Sequence, residues 1–159
     1  MDLPGTIITY AGRNIPQGYL PCDGSVQNKR NYPVLYTHLG TIWGSGDGSP
    51  GSFNLPDLRG MFLRGVDGSA GKDPDKVHRI AFYNGGATGN NVGSYQPDSL
   101  AAHNHKINRQ DAANTGGGGG MLLAEDNING TAKFPSQDSS DNQETRPKNA
   151  NVYYIIKAQ

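Results

Sequence analysis

Short apolar runs broken by turn-forming residues set the pattern of this chain. Thr6-Ile7-Ile8, Met61-Phe62-Leu63 and Val152-Tyr153-Tyr154-Ile155-Ile156 stand out from polar surroundings. Runs of this length, rich in β-branched and aromatic residues, predict an ordered and mostly β domain. Turn signals lie between them: Pro21-Cys22-Asp23-Gly24, Asp47-Gly48-Ser49-Pro50 and Asn84-Gly85. One short helix is predicted, because Tyr32, Leu35, Tyr36 and Leu39 recur at helical spacing. Asn31 stands where a cap is wanted, Pro33 suits the first turn and Gly40 can end the helix. Its aromatic residues read as ordinary packing residues, and Trp43 just beyond it reads equally as a packing residue or a receptor contact.

The pattern divides the chain unequally. Residues 1–65 carry most of the strand and turn signals and the helix. Residues 66–107 are polar and loop-rich. Residues 108–143 hold the glycine run Gly116 to Gly120, many Asn, Asp, Ser and Gln, and Phe134 as their one aromatic. Residues 144–159 close the chain with Arg146-Pro147 and the β-rich stretch Val152 to Lys157. A polar stretch as long as 108–143 inside a compact domain is either a functional loop or a flexible excursion.

Composition sharpens this picture. Only 34% of the 159 residues are hydrophobic, and there are 23 glycines and 10 prolines. Such a chain is a poor candidate for a helical bundle and short of core for a self-sufficient monomer, so burial between subunits is an expected supplement. Charge balances at 14 basic and 14 acidic residues with no basic stripe, which leaves nucleic acid without an electrostatic footprint. A single cysteine, Cys22, excludes an intrachain disulfide. No apolar stretch approaches a membrane span, and the N-terminus lacks the charged and apolar regions of a signal peptide. Met1 abuts domain-like sequence, as in a C-terminal piece of something longer.

The sharpest chemical signal is His103-Asn104-His105. On a strand both imidazoles project to one side, which makes half of a metal site. A zinc- or iron-type ion takes four to six ligands. Water, a distant carboxylate or the same pair on other copies of the chain are the three sources for the rest. The alternative is two surface histidines with no metal. His38, in the predicted helix, and His78 read as packed or solvent-facing residues. Enzyme signatures are weak: there is no Gly-x-Ser-x-Gly elbow, and Glu125-Asp126, Asp138 and Asp141 sit in a polar loop where acids are usually solvated. Asp57-Leu58-Arg59 and Glu144-Thr145-Arg146 read as ion pairs that fasten loops. Gly85-Gly86-Ala87-Thr88-Gly89 is too weak a signal for phosphate.

Several blocks carry a family resemblance in order. Pro4-Gly5-Thr6-Ile7, Leu20-Pro21-Cys22-Asp23-Gly24-Ser25, Tyr32-Pro33-Val34-Leu35-Tyr36 and, most specifically, Phe53-Asn54-Leu55-Pro56-Asp57-Leu58-Arg59-Gly60-Met61-Phe62-Leu63-Arg64-Gly65 resemble the phage tail collar domain found near the ends of tail fibres. Gly93-Ser94-Tyr95-Gln96 leading to His103-Asn104-His105, and Glu144 to Asn149 leading to Tyr154-Ile155-Ile156-Lys157, are similar to receptor-binding tips of such fibres. The likeness leaves out residues 108–143.

The resemblance implies an intertwined homotrimer with a collar-like domain at residues 1–65, a tip region at 66–107 and a closing strand at 144–159; residues 108–143, outside the likeness, read as a variable receptor-binding loop or head insertion presented from those elements. It implies that His103 and His105 of three chains hold one structural transition-metal ion, iron or zinc, on the shared axis. The resulting expectation is a non-enzymatic, extracellular fibre-tip adhesin, joined to an upstream shaft and recognising a bacterial surface glycan such as lipopolysaccharide, or an outer-membrane receptor. Sugar faces stack on aromatics, which singles out Phe134, Tyr83 and Tyr95 as receptor-binding candidates. The rival readings are a collar that only assembles and a hydrolase of surface polysaccharide.

Overall fold

The computed structural model describes residues 2–99 and 147–159. The described parts of Met1–Ser99 and Ala150–Gln159 form one compact unit. Its elements are β1 (Ile7–Tyr10), β2 (Tyr19–Pro21), β3 (Val26–Asn28), α1 (Pro33–Leu39), β4 (Ser52–Asn54), a 3-10 turn at Lys76–His78, β5 (Ile80–Ala81), β6 (Ser94–Tyr95) and β7 (Tyr153–Lys157). Short strands, long connections and one short helix agree with the mostly β expectation.

The first and last parts of the chain meet in one sheet. β7 lies between β1 and β2 and is antiparallel to both, with Ile156 opposite Ile7 and Leu20, and Ile155 opposite Ile8 and Pro21. As the central strand it is buried on both sides, at Ile155 and at Ile156. Pro21, which has no N–H to donate, stands on an edge strand where none is needed. The sheet continues past Pro21 through hydrogen bonds from the Cys22 amide to the Tyr154 carbonyl (2.9 Å) and from the Leu58 amide to the Cys22 carbonyl (3.0 Å).

Ile156 joins Cys22, Leu35, Leu39, Phe53, Leu55, Leu58 and Ala158 in the core, with Tyr32, Tyr36 and Trp43 packed against it. The helix thus buries the face that its spacing predicts, and the Phe53 ring packs tilted against Tyr36 with centroids 5.3 Å apart. Burying side chains of this kind contributes roughly 1.5–3 kcal/mol each, an upper range for a real unfolded chain. Two expectations need correction. The helix is capped at Tyr32, not Asn31, and without a side-chain hydrogen bond. The amides of Asn31 and Tyr32 both reach back to the Asn28 carbonyl, so a tight turn runs directly into the helix. Met61-Phe62-Leu63 forms no strand, and Phe62 and Leu63 are exposed. Among the described residues, no helix is long and apolar enough to cross a membrane.

Candidate functional site

Asn54 builds the platform from which the loops project. Its buried side chain donates to the Gly24 carbonyl (3.0 Å) and accepts from the Gly46 amide (2.9 Å), which ties the Asp23-Gly24 turn to the loop after Trp43. Gly24 has φ +77°, the left-handed region that favours glycine. Next in the chain, Asp57 accepts two bonds from the Arg59 guanidinium, at 2.8 and 2.6 Å, and a third from the Tyr83 hydroxyl at 3.1 Å. The guanidinium holds the Asp57 carboxyl below its ordinary value. The expected Asp57–Arg59 ion pair is therefore present. Glu144 and Arg146 lie outside the described residues.

Two further carboxylates fold the loop that follows. Asp67 accepts from the amides of Gly71, Lys72 and Asp73 and from Lys76 Nζ at 2.6 Å. The Lys76 ammonium, aided by those amides, lowers its pKa to about 2. Asp73 is buried and sits 3.6 Å from Arg64 and 3.5 Å from Arg79. Arg79 spreads over the β5–β6 pair: its Nε donates to Ser94 Oγ (2.9 Å), Nη2 to the Ser94 carbonyl (3.1 Å) and Nη1 to Gln96 Oε1 (2.8 Å). A planar fork of five donors suits such a hub. Each of the three aspartates is committed to cations and amides, an arrangement that braces loops.

Above this scaffold lies a cleft of about 330 Å³. Trp43, Phe82 and Tyr95 line it together with Met61 to Asp67 and Asn90 to Gln96. Phe82 is central: its ring stands 5.7 Å from Trp43, 5.0 Å from Tyr95 and 6.5 Å from Tyr83. A second hollow, lined by Asp57, Arg59 and Met61, shares Phe82 and Tyr95. Gly93 lets the wall close. It has φ +88°, and a Cβ there would stand 2.4 Å from the Ile42 carbonyl oxygen.

The structure thus brings Tyr83 and Tyr95 together around Phe82, a residue that the sequence reading passed over. The signal for it was an aromatic pair, Phe82-Tyr83, immediately before the Asn84-Gly85 turn, which the structure confirms with a Gly86 amide to Tyr83 carbonyl bond of 3.0 Å. Trp43 packs on the core and also lines the cleft. His103, His105 and Phe134 lie outside the described residues. His38 is exposed on the helix, and His78 is exposed with Asp75 4.0 Å away. Among the described residues, no three His, Cys, Asp or Glu side chains cluster as a metal site. Burial pushes the Cys22 thiol up to about 12, which leaves it a core residue without thiolate chemistry.

Residues 5–63 match the family model of the Phage Tail Collar Domain. Protein RhiB of Rhizobium leguminosarum bv. viciae is 36% identical over 148 residues, which cover 89% of this chain and 64% of that protein. Short tail fiber protein gp12 of Enterobacteria phage T4 is 28% identical over 110 residues, covering 64% of this chain and 20% of that protein. The chain therefore spans less than two thirds of the length of either relative.

Proposed function

We propose that this chain is the tip of a trimeric tail fibre or a fibre-like appendage, and that it binds a bacterial surface glycan without turning it over. The observation that carries the reading is the match of residues 5–63 to the collar-domain family model, taken with a likeness to a short tail fibre protein that extends over 64% of the chain. The loop-bracing use of Asp57, Asp67 and Asp73 favours a binding scaffold over a hydrolase, since paired carboxylates that do chemistry on a sugar need access to it. In this reading the protein works outside the cell, attached to a shaft, and three weak sites combine through avidity.

His103 and His105 would hold the ion. Three copies supply six imidazoles, enough to saturate a transition metal and leave no open position, so the ion would be structural. Neutral imidazoles are required, and metal binding weakens as pH falls through the histidine range. Recognition is assigned chiefly to residues 108–143 with Phe134, and to Tyr83 and Tyr95 beside them in function.

Deletion of residues 108–143 tests that assignment. The truncated protein is expected to lose binding to a panel of purified lipopolysaccharides that the intact protein captures; retained binding would move recognition elsewhere. Fragment analysis of the same glycans after incubation should show no products. Released saccharides would establish the hydrolase instead.

A further inference from the structure

Arg59 is exposed, yet its guanidinium is held still. Asp57 takes the Nε–Nη2 edge in hydrogen bonds of 2.8 and 2.6 Å, and Asp57 is itself fixed by the Tyr83 hydroxyl at 3.1 Å. Gly24 makes room for that hydroxyl, since a Cβ at this position would collide with it. A guanidinium is a rigid planar fork with more donors than one carboxylate can use. Its outer edge, formed by Nη1 and the second hydrogen of Nη2, points away from Asp57 as two parallel donors. Among the described residues that edge meets no acceptor. Asp57, in contrast, already accepts from Arg59 and Tyr83, so the pair presents donors to a ligand rather than acceptors.

The second hollow, of about 450 Å³, sets this fork beside aromatic surface: Asp57 and Arg59 line it with Met61, Phe82 and Tyr95. Its size falls within the roughly 300–1,000 Å³ of small-molecule sites. Phe82 and Tyr95 are half-buried, with ring centroids 5.0 Å apart and planes tilted by 45°. Half-buried rings keep surface for the C–H face of a sugar, and the fork adds the directional polar contact that such a site needs. Two parallel N–H donors match the paired oxygens of a carboxylate or a phosphate. The charge count separates them. A phosphate monoester brings about −1.5 to −2 charges, whereas the one cation lining the hollow is already balanced by Asp57. A single-charged carboxylate fits that count better, with a weak single-site affinity that avidity multiplies.

We infer that the hollow bounded by Arg59, Phe82 and Tyr95 binds a carboxylated sugar of a surface glycan, its carboxylate on the outer edge of Arg59 and its ring against the two aromatic residues. The inference rests on the glycan-binding reading above and adds the class of sugar and the residues that take it. Capture of the same panel of purified lipopolysaccharides by the full chain tests it. Each captured glycan is presented untreated, carboxyl-reduced so that every carboxylate becomes a primary alcohol, and dephosphorylated. Carboxyl reduction is expected to weaken capture at least about tenfold, and dephosphorylation to leave it unchanged. Arg59→Lys keeps the charge but loses the fork, and Phe82→Leu loses the ring; each is expected to weaken capture of the untreated glycan by a similar factor. Equal capture of untreated and carboxyl-reduced glycan overturns the inference, as does a loss confined to the dephosphorylated form, which would assign the contact to phosphate. Capture by folded Arg59→Lys at the unaltered level overturns the site. The carboxyl-reduction arm uses unaltered protein and decides the matter even where a variant fails to fold. Failure of the unaltered protein to capture any glycan of the panel overturns the glycan-binding reading itself.

Discussion

The sheet, helix and Phe53–Leu58 block are held by apolar burial, whereas residues 61–96 are held by charge and hydrogen bonds. In the first region Leu35, Phe53, Leu55 and Ile156 are almost wholly buried. In the second, two aspartates, two arginines and a lysine organise the chain through the Asp67–Lys76, Asp73–Arg64 and Asp73–Arg79 pairs, and the apolar residues Phe62, Leu63, Val66 and Val92 stand outside. One region satisfies itself; the other is folded by its polar groups and left with an uncovered apolar surface. The contrast explains how a chain with only 34% hydrophobic residues can have a firm core and still leave apolar side chains exposed.

The largest effect that would break the comparison lies in the first region. Phe53→Ala removes a fully buried ring packed against Tyr36 and is expected to cost about 3–5 kcal/mol. Denaturant unfolding should show it; a cost under about 1 kcal/mol would mean that the core is not the anchor described.

Arg79→Met should act locally. It keeps much of the side chain's length but removes the donors to Ser94 and Gln96 and leaves buried Asp73 with Arg64 at 3.6 Å. The expected cost is about 1–3 kcal/mol, read as faster amide exchange across residues 67–96 while β7 keeps its protection. Equal loss of protection in β7 would show that the two regions are one cooperative unit.

Legibility in the sequence followed the same division. The helix face, the closing strand and the Asp23-Gly24 turn were readable, because period and turn chemistry are local and the core that rewards them belongs to this copy. The cap was misplaced because Asn31, a good capping residue, is already used in the turn from Asn28. Met61-Phe62-Leu63 was read as one of the apolar runs of a mostly β domain, but it forms no strand and leaves Phe62 and Leu63 exposed, because an apolar run alone does not settle pairing or burial. Arg79 could not be found at all: its partners at 73, 94 and 96 are assembled by the fold, and nothing in their spacing announces a hub. Tyr83 and Tyr95 were picked for their chemistry, and the structure adds Phe82 between them.

The smallest effect sharpens the electrostatic half. Asp67 is ionised in the fold down to about 2, against an ordinary value of 3.8. A carboxyl lowered on folding stabilises fully above its ordinary value, and that contribution fades as pH falls from there through about 2. Thermal melts between pH 5 and pH 2 should therefore show a declining Tm, and Asp67→Asn should flatten the decline. An unaltered slope in that variant would remove Asp67 from the account.

Native mass spectrometry of the intact protein, produced with transition metal available, tests the central claim most directly, because copies and ions are counted in one species. Three chains with one ion is the predicted composition. A single chain, or one ion for every chain, would contradict it.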